Sequence, residues 1–234
     1  SIGFTGVTGG SRTTYATGLA AYNAAQKLVE ELKNRLSIIW EVDAEQIDFS
    51  NGTFSIDSES IHIQELAGKL DPSGGPATST ASVNLDSAGN AFGAHICDLE
   101  VDIETGKTDI IRYTAVQDVG TAVYPKYCEG QIQGGVVQGL GWALNEEYFI
   151  TEDGVMANKS YLDYRMPTSL DMPMIDAIMV EVPNPLHPFG VRGVGEVTLA
   201  PPLAAAALAI KEATGKRHFD LPVKPGRIID LYKS

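Results

Sequence analysis

Leu19, Tyr22, Gln26, Val29, Leu32 and Leu36 recur at steps of three and four, mostly apolar, and predict an amphipathic helix from about Thr14 to Arg35. Between Ile47 and Ile56 apolar residues alternate on both sides of Asn51-Gly52, a pair that favours a type I′ turn, so a hairpin is expected. A short helix should follow over 63–69, and the Pro, Gly, Ser and Thr-rich stretch 71–82 reads as a connector between two lobes, 1–75 and 83–234. The segments Ala91 to Ile103 and Lys107 to Asp118 are β-rich and joined at Glu104-Thr105-Gly106, which predicts a long antiparallel pair; another strand is expected over 178–182.

Two helical stretches break the usual pattern. Glu129 to Glu147 has helical periodicity but carries five glycines, each costing up to about 1 kcal/mol against alanine in a helix interior. Either a close-packed neighbouring helix or a ligand against the glycine side would offset that cost, and the residues leave both open. Leu203 to Ile210 is apolar on every face, so this helix should be buried almost all round, with Pro201 and Pro202 in its first turn, where a missing N–H costs nothing.

Ahead of that helix runs Pro188-Phe189-Gly190-Val191-Arg192-Gly193-Val194-Gly195-Glu196. Glycines let a backbone adopt unusual dihedrals and approach a ligand closely. Glu196 stands at the helix entrance, where burial would favour its neutral form and the helix dipole its charged form. Those opposed pulls suit a general base, although a plain helix-dipole carboxylate satisfies the same residues. At the other end of the chain, Gly9, Gly10, Ser11, Arg12, Thr13 and Thr14 form a glycine and hydroxyl-rich loop that feeds the first helix. Free N–H groups at a helix start attract anions, and Arg12 can add a bidentate contact. The loop lacks the Gly-Lys-Ser/Thr ending of a Walker loop and the GxGxxG spacing, and a simple helix cap explains it equally well.

Composition narrows the class. The 234 residues are 44% apolar and 20% charged, enough for a real core. Net charge is −13, which argues against nucleic-acid and anionic-membrane partners. No long apolar run or export signal is seen, so a cytoplasmic setting is expected; Ser1 is not an initiator methionine, which suggests a fragment, a processed product or a trimmed chain. Cys97 and Cys128 show no CxxC spacing, and His62, His95, His187 and His218 are scattered, so no metal held by protein side chains is expected.

Several of these stretches together resemble the xanthine dehydrogenase and aldehyde oxidase family of molybdenum hydroxylases. Gly193-Val194-Gly195-Glu196, followed by Pro201-Pro202 and an Ala-rich helix, is similar to the family's C-terminal signature, in which this glutamate is the catalytic base. Gly130-Gln131-Ile132-Gln133-Gly134-Gly135 resembles the motif whose first glutamine, here Gln131, lies against the pterin cofactor; Gln133 stands where the family commonly has glutamate. The Glu100-Val101-Asp102 strand, the Thr105-Gly106 turn, Asp118-Val119-Gly120, a strand and turn at Tyr161 to Thr168, and Phe219 to Ile229 extend the likeness along most of the chain. The resemblance implies an α+β molybdopterin-binding domain with mixed or antiparallel sheets packed with helices, the C-terminal part of a catalytic subunit. It also implies water-dependent oxidative hydroxylation of an aldehyde or N-heteroaromatic carbon, with Glu196 as base. Its cofactor would be molybdenum-molybdopterin, in the cytosine dinucleotide form, held through the pterin dithiolene. Gly9 to Thr14, Gln131, Gly193 and Gly195 would contact that cofactor. Iron–sulfur clusters and FAD would sit on partner subunits or domains, and the remaining half of the catalytic subunit would complete the pocket. A non-catalytic scaffold that keeps the cofactor contacts is the rival reading, opposed by the intact Glu196 and Gln131. A nucleotide-binding domain built on Gly9-Gly10 is opposed by the missing phosphate lysine.

Overall fold

A computed structural model of the chain describes residues 3–85, 87 and 89–233. These residues divide into two compact units, one formed by Gly3 and 16–85 and the other by 4–15 together with 87 and 89–233. The opening glycine loop thus belongs to the second unit, whereas the sequence reading grouped it with the first lobe.

In the first unit the expected amphipathic helix forms, but it is α-helical over Gly18–Trp40 (α1) after a π-helical turn at Thr13–Thr17. It runs past Arg35 because Ser37 to Trp40 contain no breaker, and it ends where Glu41 takes a left-handed conformation (φ 55°) and donates its N–H to Ser37 O. The hairpin forms as Asp48–Ser50 (β1) and Thr53–Ile56 (β2), with Ser50 paired to Thr53. Asn51 and Gly52 have φ of 50° and 77°, both positive as a type I′ turn requires. A third strand, Glu59–His62 (β3), extends the hairpin into a three-stranded antiparallel sheet, and Ile63–Ala67 (α2) follows it. Leu32, Leu36, Ile47, Phe54, Ile61, Leu66 and Leu70 make the core of this unit.

The second unit carries the long antiparallel pair, Gly93–Val101 (β4) and Thr108–Asp118 (β5), with a register shift at Asp98/Leu99. Ile175–Val180 (β6) joins the other edge of β5 in parallel. Pro125–Leu144 (α3) and Ala200–Thr214 (α4) pack against this mixed sheet and against each other, and Pro225–Lys233 (α5) closes the unit. Their shared core includes Tyr113, Ala115, Ile132, Val136, Leu140, Ala206 and Ile210. The architecture is α+β, as expected.

Two expectations fail here. The stretch Tyr161 to Thr168 contains turns and no strand: Ser160 O accepts from both Asp163 N–H (3.1 Å) and Tyr164 N–H (2.8 Å), which curls the backbone, and Pro167 has no N–H for a ladder. Nor is α4 buried all round. It lies on β4 and α3, which leaves Ala200, Ala204 and Leu208 outward at four-residue steps, with Leu208 49% exposed. None of the described helices is long and apolar enough to cross a membrane.

Candidate functional site

The site is assembled by α3, four of whose glycines divide into two groups, the fifth, Gly141, lying against Glu146 and Pro167. A Cβ placed on Gly135 would lie 2.0 Å from Thr198 Oγ1 and 2.6 Å from Gly195 O, and one on Gly139 would lie 2.4 Å from Leu199 O. These two glycines therefore let the helix press against the segment 195–202 that leads into α4. Gly130 and Gly134 have nothing within 4 Å of the same position. Helix packing explains the first pair, and the second pair stays open. Buried Thr198 braces the contact by donating its hydroxyl to Gly195 O at 2.8 Å.

The glycine segment after β6 is pinned from below. Arg192 and Asp118, each only about a tenth exposed (11% and 9%), form a contact ion pair at 3.1 Å without hydrogen-bond alignment at Nε. Arg192 also donates to Asn90 O at 2.5 Å, and Asp118 accepts from Gly120 N–H at 2.9 Å. Val191 bridges to Gly120, so the chain leaves this point in a fixed direction toward Gly193.

Beyond Arg192 the two ends of the unit meet. Ser11 N–H donates to Glu196 Oε2 at 2.6 Å, and Glu196 N–H donates to Ser11 Oγ at 2.7 Å. Ser11 holds a left-handed conformation (φ 51°) next to Gly10 (φ 67°). Gly193 and Gly195 make room for it: a Cβ on Gly193 would lie 2.7 Å from Ser11 Cβ, and one on Gly195 would lie 2.7 Å from Gln131 Oε1. Glu196 is exposed and sits in a turn four residues ahead of α4, so the burial expected for its carboxylate is not present in this chain.

Next to this junction is a cavity of about 710 Å³. Of the residues expected to hold a cofactor, Ser11, Thr13, Thr14, Gln131 and Gly195 line it, whereas Gly9, Gly10, Arg12, Gly193 and Glu196 do not. The Arg12 guanidinium instead lies against Gly6, 2.7 Å from where a Cβ there would be. Gln133 Nε2 points to Ile175 O on β6 at 3.4 Å, away from the cavity. Residues that the sequence reading passed over also form the walls: Thr8, Thr121, Tyr124, Lys126, Tyr127, Cys128 and Arg192. Their one available signal was Tyr124-Pro125-Lys126-Tyr127, a proline-started first turn directly ahead of the glycine helix. Burial pushes the Cys128 thiol up from its ordinary value, which keeps it protonated.

Chemically, the cavity combines hydroxyls, a lysine, the N-terminal turn of a 20-residue helix and the open edge of Gly130. With Val119, Val123, Val191 and Val194 also in the lining, such a wall suits a large ligand with a flat, partly apolar body and an anionic end. No group of three His, Cys, Asp or Glu among the described residues could hold a metal ion.

An α+β unit whose chemistry gathers around a hydroxyl-lined cavity at a helix N-terminus is a cofactor-binding domain. The chain belongs to the molybdopterin cofactor-binding domain family, whose model matches residues 1–173, and so to the molybdenum hydroxylases. It is 33% identical over 230 residues to the gamma subunit of the 6-hydroxypseudooxynicotine dehydrogenase complex of Paenarthrobacter nicotinovorans, covering 93% of this chain and 29% of that protein. It is 32% identical over 232 residues to a putative xanthine dehydrogenase molybdenum-binding subunit of Escherichia coli K12, covering 95% of this chain and 31% of the relative. The crystal structure of quinoline 2-oxidoreductase from Pseudomonas putida 86 superposes with a TM-score of 0.81 at 29% identity, over 96% of this chain and 30% of that one. The chain thus spans about three tenths of the length of these relatives.

Proposed function

We propose that this chain forms part of the catalytic subunit of a molybdenum hydroxylase that oxidises an aldehyde or an N-heteroaromatic carbon with water as oxygen source. The observation that carries the reading is Glu196, held by Ser11 beside a cavity that Gln131, Thr13 and Thr14 line. When bound, molybdenum-molybdopterin, in the cytosine dinucleotide form, supplies the Lewis acidity and the two-electron redox capacity that protein side chains lack. Thr13, Thr14 and the first turn of α3 would hold its anionic end, and Lys126 would add charge. Gln131 would lie against its ring system, next to Gly195. Glu196 would accept the proton that water gives up as it becomes nucleophilic, and its fixed backbone sets where that proton leaves. Relatives about three times longer than this chain, one of them a subunit of a complex, support partners that complete the pocket; iron–sulfur clusters and a flavin on further subunits would carry electrons away. The relatives include a quinoline 2-oxidoreductase and a putative xanthine dehydrogenase subunit, which supports the N-heteroaromatic class, and an aldehyde oxidoreductase, which supports the other.

The test is Glu196→Gln in the assembled enzyme. Volume and hydrogen-bonding capacity are kept, so molybdenum per chain should match wild type while turnover falls by on the order of 10²–10⁴. Near-native turnover with full metal would reduce Glu196 to a structural carboxylate.

A further inference from the structure

Ser11 presents a conflict between two roles. A loop that cradles phosphate must leave its donors free, yet Ser11 N–H is committed to Glu196 Oε2 at 2.6 Å and its Oγ already accepts from Glu196 N–H at 2.7 Å, which leaves only the hydroxyl hydrogen to donate. The arrangement reproduces, between residues 185 apart in sequence, the reciprocal bonding of a capping box, in which a serine oxygen accepts from a glutamate's N–H and that carboxylate accepts from the serine's. It is built at a cost in conformational freedom. Ser11 adopts φ 51°, which side chains rarely take, and Gly193 has no room for a Cβ because Ser11 Cβ and O would lie 2.7 and 2.8 Å away.

We propose that Ser11 is a positioning residue for Glu196: the pair of hydrogen bonds fixes both the backbone and one carboxylate oxygen of the glutamate. The inference rests on the reading of Glu196 as the base. Oε2 is spoken for, and no described residue donates to Oε1, so Oε1 is the oxygen left to take a proton. Glu196 lies in a turn outside any helix, and without the clamp its side chain has rotamers to spare. Phosphate binding then falls mainly to Thr13, Thr14 and the α3 N-terminus, with Ser11 left only its hydroxyl hydrogen to give.

The experiment compares Ser11→Ala, Glu196→Ala and the double variant in the assembled enzyme, by hydrogen exchange of the peptides spanning 4–14 and 190–199 and by steady-state kinetics. Ser11→Ala removes the acceptor of Glu196 N–H and should speed exchange at 190–199 about tenfold, the scale of one net hydrogen bond. Glu196→Ala should do the same at 4–14, and the double variant should exceed neither single by the product of both. In turnover, Ser11→Ala should lower kcat about tenfold with KM and molybdenum content unchanged, since only alignment of the base is lost. A fall in metal content or a rise in KM of the same size would return Ser11 to the ligand-binding role and overturn the proposal. Wild-type exchange at 190–199 in Ser11→Ala overturns the clamp itself. Wild-type turnover in Glu196→Gln, with the exchange coupling intact, instead overturns the base and with it the catalytic purpose of the clamp.

Discussion

Along α3, Gly130 and Gly134 form one stripe four residues apart and Gly135 and Gly139 form another, displaced by five positions, or about 140° around the helix. The stripes share a residue type and a spacing but have opposite surroundings. Gly135 and Gly139 meet the backbone of Gly195 and Leu199 at distances no side chain could tolerate, while Gly130 and Gly134 face open space, Gly130 at the cavity wall. Packing offsets the cost at Gly135 and Gly139, and Gly141 closely approaches Glu146 Oε1 and Pro167, whereas Gly130 and Gly134 have no such neighbour and at Gly130 the cavity leaves room for a ligand. Neither explanation alone covers the helix.

The comparison can be broken first where it is tightest. Gly139→Ala places a methyl group 2.4 Å from the Leu199 carbonyl, a backbone atom that cannot swing aside. Overpacking of this kind should cost about 1–3 kcal/mol in chemical denaturation. It should also lower turnover, because the displaced segment carries Glu196; a neutral result would mean that the two helices are not in the register described. On the open edge, Gly130→Trp should leave the denaturation midpoint within error of wild type but reduce molybdenum per assembled chain to a minor fraction. Full metal content would place the cofactor elsewhere. Gly10 sharpens the contrast, since it too has nothing within 4 Å but holds φ 67°. Gly10→Ala should therefore destabilise by about 1–2 kcal/mol from backbone strain alone, read as a shift in thermal midpoint. The smallest effect is expected at Gly134, where nothing is near and the backbone is plainly helical: Gly134→Ala should stabilise the fold by about 0.5–1 kcal/mol.

Local chemistry was the legible part of the sequence. Asn51-Gly52 forced its turn, Pro201 marked a helix start, and two β-rich segments joined at Glu104-Thr105-Gly106 gave the antiparallel pair, because each of these depends on near neighbours. The motif around Gly195-Glu196 and the glycines of α3 likewise pointed to the family. What stayed hidden depends on residues far apart. The parallel docking of β6 on β5, the outward side of α4 and the absence of a strand near Tyr161 follow from which elements find each other, and apolar content does not encode that. At the site, Gly193 is expected to face a ligand, and Ser11, which does line the cavity, is expected to be free for one. The structure turns them toward each other, a contact that no local pattern could announce.

Because Ser11 and Glu196 are joined across 185 residues, the junction also imposes a timetable on synthesis. At typical elongation rates of about 5–20 residues per second, Ser11 leaves the ribosome roughly 10–40 s before its partner has been made. During that interval the unit formed by Gly3 and 16–85 has every residue it needs to fold, whereas residues 4–15 must wait for their own unit to be completed. A nascent chain stalled before Glu196 would carry a finished first unit and an open, protease-accessible leading loop; release of some further tens of residues would be the event that seals it.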